Sequence, residues 1–141
     1  MSETFESTRA PEAVGAFPHA KRVGNLLFLS GIGPRVRNSK DIPGVTLDAE
    51  RNVISYDIET QCRAVFENVR LVLEDAGGSW DDIVDVSVFL TDMKKDFPIF
   101  NRIYPEYFAG PGKPNPTRTT VEVGALPTPI AIELKVIAAV A

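Results

Sequence analysis

SYDIETQCRAVFENVRLVLEDAGG, residues 55–78, is the stretch that decides the fold. Ile58, Cys62, Val65, Phe66, Val69, Val72, Leu73 and Ala76 recur at spacings of three and four, which makes one side of an α-helix apolar. Ser55 or Asp57 offers an oxygen to cap the first turn, and Gly77-Gly78 permit the left-handed stop. Cys62 lies on the stripe and reads as a small core residue rather than a nucleophile.

On either side of this helix the period changes from 3.6 to 2. KRVGNLLFLSG (Lys21–Gly31) reads as two short strands turning at Gly24-Asn25. In SWDDIVDVSVFLTD, Val84, Val86, Val88 and Leu90 alternate with Asp85, Ser87 and Phe89, as in a strand. DFPIFNRIYPEYFAG places Phe100, Ile103, Tyr104 and Phe108 at helical spacing. Pro98 suits a first turn there, and Pro105 is expected to bend the helix or end it early. Two closing strands, roughly Thr117–Ala125 and Ile130–Val140, flank a Pro-rich turn, LPTP. Residues 1 to about 18 read as an irregular arm, and Asn38–Asn52 as an exposed loop.

The order is β-β-α-β-α-β-β: an α+β fold, with two helices on a mainly antiparallel sheet. Two helices cover one face of such a sheet. NLLFLSG is apolar on both faces and IELKVIAAV nearly so, so a second copy of the chain is the expected cover for the other face.

A chain of 141 residues suits one domain with its own core. Net charge is −4, which disfavours a surface for nucleic acid but leaves room for a local anion pocket. One cysteine excludes an internal disulfide, and one histidine speaks against a zinc site. The start of the chain has no signal-like apolar run and no segment is long enough to cross a bilayer, so a cytoplasmic protein is expected.

Three side chains are candidates for chemistry. Arg118, with Thr120 and Glu122, shares one face of the strand NPTRTTVEV. It is either a strand-end cation paired with an acid or a planar fork aimed at a carboxylate. Glu133 sits in an apolar strand, either in a salt bridge or holding a water for attack. His19 either packs structurally or moves a proton. No triad, phosphate loop or dinucleotide fingerprint is present.

Four stretches together resemble one family: AVGAFPHAKRVGNLLFLSG, DIVDVSVFLTDM, FNRIYPEYF and NPTRTTVEVGALPTPIAIELKVIA. They are similar to the RidA (YjgF) family of reactive-intermediate deaminases, over about Ala10 to Val140. The resemblance implies a chorismate-mutase-like fold over residues 1–141 and a homotrimer with clefts between neighbours, with pairing into hexamers left open. It implies no cofactor and no metal, a small carboxylate substrate, and neither nucleic acid nor membrane as partner. Arg118 matches the arginine that grips the substrate carboxylate, and Glu133 the glutamate that handles the water. Ser30 and Gly31 match a strand-end pair lining the pocket, and Asn101 an asparagine of the second helix. Phe17 and Thr120 depart from the family's usual tyrosine and cysteine. The loop Asn38–Asn52 and AFPHAKRVG look closest to the 2-aminomuconate deaminases. That branch implies a dicarboxylate substrate, whose far carboxylate would need its own cation: His19, Arg35 or Arg37.

Overall fold

The computed structural model describes residues 2–141. The strands are β1 (Ser2–Phe5), β2 (Ala20–Val23), β3 (Leu26–Leu29), β4 (Val45–Leu47), β5 (Val53–Tyr56), β6 (Ile83–Leu90), β7 (Thr117–Glu122) and β8 (Ile132–Ala139). The helices are α1 (Ile58–Asp75) and α2 (Met93–Phe108). Asp57 starts α1, because its carboxylate accepts the Thr60 N–H at 3.0 Å. Gly77, at φ 87°, reverses the chain after it.

Six strands form one sheet in the order β1-β2-β3-β8-β6-β7, and β4-β5 make a separate ribbon. The β6–β7 pair is parallel and the others are antiparallel. The sheet is therefore mixed but mostly antiparallel, with two helices packed on it.

Ile132, Leu134, Val136 and Ala138 of β8 and Val86, Val88 and Leu90 of β6 are fully buried on the helix side. They meet Val65, Val69 and Leu73 of α1 and Phe100 and Phe108 of α2 in one core. Burying each large apolar side chain contributes roughly 1.5–3 kcal/mol. On the opposite face lie Leu26, Phe28, Phe89, Val121 and Ile137, all partly or well exposed. This is the uncovered apolar face expected from the sequence.

Four expectations need correction. The N-terminal arm is not wholly irregular, since β1 pairs with β2 from Ser2↔Val23 to Phe5↔Ala20. The loop 38–52 contributes a strand, β4, which folds back onto β5. Pro98 lies beyond the first turn of α2, which Asp92 caps. Nor does Pro105 end that helix. Tyr104 stacks on Phe108 at 4.4 Å between ring centroids and Phe108 meets Phe66 edge-on at 5.2 Å, so packing carries the helix past the missing hydrogen bond.

The largest revision concerns the closing strands. LPTP does not join a hairpin: β6 lies between β7 and β8 and pairs with both. The two-helix layer makes this possible, because α2 supplies the crossover that a parallel β6–β7 pair requires.

Candidate active site

Glu133 stands directly opposite Phe89 on the helix-free face of β8. It lines a cavity of about 40 Å³ together with Phe17, Ser30, Gly31, Arg35 and Ile130. The sequence brings this wall together through the arm. The Ser30 hydroxyl donates to the Pro18 carbonyl at 2.7 Å, and its N–H donates to the His19 carbonyl at 3.0 Å. Glycine at position 31 leaves room for the carboxylate, since a Cβ there would stand 2.6 Å from Glu133 Oε2. Among the described residues Glu133 has no ion-pair partner. Lys135, next on the same face, instead donates to the Leu29 carbonyl. Burial pushes the Glu133 carboxyl above its ordinary value, and the Arg35 charge partly opposes that rise.

Arg118 and Thr120 lie on the other face. Their register partners on β6 are Val86 and Val88, both buried against the helices. The Arg118 guanidinium lies over the rings of Tyr104 (4.6 Å to the centroid), Phe100 (5.4 Å) and Phe97 (5.7 Å) on α2. This shelf holds the cation by its face and leaves its edge donors without a protein acceptor among the described residues. Beside it, the Thr120 hydroxyl and the Tyr104 hydroxyl are buried and unpartnered. Asn101 is exposed on α2. One chain therefore separates the expected site residues into two groups: Phe17, His19, Ser30, Gly31 and Glu133 around the cavity, and Arg118 and Thr120 against α2.

His19 lines the cavity, but both of its ring nitrogens are engaged. Nδ1 accepts the Ser7 N–H at 3.1 Å, and Nε2–H donates to the Pro11 carbonyl at 2.8 Å. Neither nitrogen is free to serve a substrate, so this geometry makes His19 a lock on the arm. Of the other two expected cations, Arg37 donates to the carbonyls of Ser7 and Ala10. Arg35 remains at the cavity.

Sequence reasoning missed Asn68. Its Nδ2 donates to the carbonyls of Gly33 (2.8 Å) and Arg35 (2.7 Å), which fixes the segment after β3. A signal existed: Asn68 falls on the apolar stripe of α1, three residues after Val65 and four before Val72. A polar residue there needs a buried partner. Among the described residues, no group of three or more His, Cys, Asp or Glu could hold a metal ion. Among the same residues, no helix is long and apolar enough to cross a membrane.

Known proteins match this arrangement along nearly its whole length. Residues 7–140 fit the family described as Endoribonuclease L-PSP. A RutC family protein of Saccharolobus solfataricus is 40% identical over 139 residues, covering 98% of each chain. TdcF of Escherichia coli, whose name places it with the reactive intermediate deaminases, is 32% identical over 138 residues, covering 98% of this chain and 97% of its own. The crystal structure of E. coli TdcF with bound serine superposes with a TM-score of 0.82 at 31% identity, covering 99% of both chains. Yeast Mmf1 gives 0.83 at 30% identity over 100% of both. The chain belongs to this L-PSP family, the RidA/YjgF family that its sequence resembles.

Proposed function

We propose that the chain is a hydrolytic deaminase of the RidA type, acting on 2-imino acids and their enamine tautomers. The observation that carries this is a pair of charges without ion-pair partners. Arg118 is held on an aromatic shelf, and Glu133 is half-buried against Gly31. Unpaired charges at partly buried positions are costly, and ligand chemistry is the common reason to keep them. The naming of the relative TdcF supports the same reading.

In this reading Arg118 forks onto the substrate C1 carboxylate and fixes the neighbouring C=N carbon. Glu133 takes a proton from water as the water oxygen bonds to C2, and the C=N π electrons move to nitrogen. The carbinolamine then collapses. Glu133 has by then passed the first proton to nitrogen; it takes the second from the carbinolamine hydroxyl as the C=O bond forms. The C–N bond breaks with its electron pair on nitrogen, that proton follows it there, and ammonia and a 2-oxo acid leave. The arginine and glutamate of one active site come from two copies of the chain, most simply in a homotrimer. That assembly would also cover the apolar face around Phe28, Phe89 and Ile137.

A narrower substrate within this class is 2-aminomuconate, deaminated to 4-oxalocrotonate (2-hydroxymuconate). The loop Asn38–Asn52 and the stretch AFPHAKRVG support it, and Phe17 and Thr120 depart from the pocket of the broad-specificity members. The family description also names an endoribonuclease. A net charge of −4 and a sequence pI of about 5.0 favour the small-molecule reading.

The test is ammonia release from imines generated in place from amino acids, and from 2-aminomuconate, by the purified chain. Ammonia above the spontaneous rate is expected. RNA cleavage without any imine hydrolysis would reverse the conclusion.

A further inference from the structure

The cavity beside Glu133 holds a second cation that the deamination step does not use. Arg35 lines it and is only partly exposed. One guanidinium nitrogen, Nη2, donates to the Glu12 carbonyl at 2.6 Å. The rest of the fork has no protein acceptor among the described residues, and no carboxylate forms an ion pair with it. The Glu12 side chain, on the residue whose carbonyl Arg35 holds, instead accepts the Asn38 N–H at 3.3 Å.

This cation is held in place rather than left to wander in solvent. Asn68, itself only 7% exposed, donates to the carbonyls on both sides of Pro34. Pro34 is buried and fixes its own φ. The Glu12 carbonyl then fixes the side chain. By contrast, Arg37, two residues on, is committed to backbone carbonyls, and so is Lys135 beneath the cavity. Of these three, Arg35 alone lines the cavity, and its fork keeps donors to offer there. A guanidinium with an ordered backbone, one anchoring bond and an open fork is built to receive a planar anion.

We propose that Arg35 binds a second carboxylate of the substrate, so that the preferred class is imines and enamines of dicarboxylic acids. The inference rests on the deaminase reading for its chemistry, since Arg118 is taken there by the carboxylate next to the reacting carbon. A monocarboxylate leaves Arg35 empty, whereas a diacid engages a cation at each end and Glu133 acts on the carbon between.

The experiment compares 2-iminoglutarate with 2-iminopropionate, both generated in place and scored against semicarbazide trapping. Wild-type chain should prefer the diacid. Arg35→Gln should lower the diacid-to-monoacid ratio of kcat/KM by about ten- to a hundredfold, mainly through KM, as expected for one lost charge-assisted pair. Arg35→Lys should keep part of that preference, since the charge remains without the fork. An unchanged ratio, with both substrates falling together, would overturn the proposal and make Arg35 a support for Glu133 or for the arm. A wild-type chain that prefers the monoacid would do the same. Calorimetric binding of glutarate against butyrate separates the two ideas. Tighter glutarate binding that Arg35→Gln abolishes upholds the subsite even if no imine is turned over, in which case only the deaminase reading falls. Equal binding of the two acids removes the subsite.

Discussion

Arg118 and Glu133 leave one sheet from opposite faces. Arg118 pairs in register with Val86, on the helix side, and Glu133 with Phe89, on the side without helices. Side chains directly across a ladder share a face, and neighbours along a strand alternate. Phe89 and Val86 are an odd number of residues apart on β6, so no rotamer of either side chain unites the two charges within a chain.

A mixture of two crippled chains should therefore recover activity. Arg118→Ala and Glu133→Gln, each inactive alone, are unfolded together and refolded. If partners assort at random in a closed ring, roughly one interface in four joins the intact arginine to the intact glutamate. Ammonia release near that fraction of wild type is the expected result. A mixture as dead as its components would mean that each site is built within one chain.

Arg118→Ala should abolish turnover while leaving the assembly whole. The guanidinium sits on Tyr104, Phe100 and Phe97 rather than in a salt bridge, so its removal breaks no ion pair. A loss of about 10²-fold or more in kcat/KM is expected from misplacing the reacting carbon. Size-exclusion chromatography should show the wild-type elution volume. Wild-type rates in this variant would make the arginine a packing residue only.

Gly31→Ala separates geometry from stability. The new Cβ would meet the end of a flexible side chain, Glu133 Oε2 at 2.6 Å, so the carboxylate can swing aside while the backbone stays. The expected result is a fall in kcat of roughly tenfold or more with little change in Tm, since displacement of a catalytic group costs rate rather than folding energy. A large drop in Tm would show that the glycine serves the chain path instead.

The Glu133 carboxyl, raised by burial, gives two linked expectations for pH. As the base it must be ionised, so kcat/KM should rise with pH through a value above the ordinary glutamate pKa of about 4.3. Stability runs the other way. Between the unfolded and folded pKa values the native state binds more protons, so stability falls as pH increases through that window. Glu133→Gln should remove that fall in stability and raise Tm at neutral pH. A lower Tm in the glutamine variant would mean that the charge is stabilised by a partner.

The elements with strong periodicity were legible before any coordinates. The stripe from Ile58 to Ala76, the alternation through Val86 and Leu90, and the Gly24-Asn25 turn all define the elements expected of them. Strand order was not legible, because nothing in LPTP distinguishes a hairpin from strands that flank a third. That depends on which strand β6 prefers as a neighbour, a long-range choice decided by core packing. β1 and β4 were missed for a related reason. Ser2–Phe5 and Val45–Leu47 are short and half polar, and pairing with β2 and β5 rather than their own pattern makes them strands. At the site, the individual residues Glu133, Ser30, Gly31 and Phe17 could be read and do share a cavity. The engagement of His19 could not be read, because its partners are backbone groups of Ser7 and Pro11 that any residue would carry and a Glu6 carboxylate that only the folded arm brings to it.

The arm has a practical consequence for handling this protein. Ser7 and Arg9 tie it to Asp75 at the far end of α1, with Arg9 Nη2 at 2.6 Å from the carboxylate, and Ala10 to Phe17 then wall the cavity. Clipping a polar leader of this kind to tidy an expression clone would strip away that wall and unhook His19. A purification handle fused just ahead of β1 would press on an edge strand of the sheet, so handles belong at the other end of the chain.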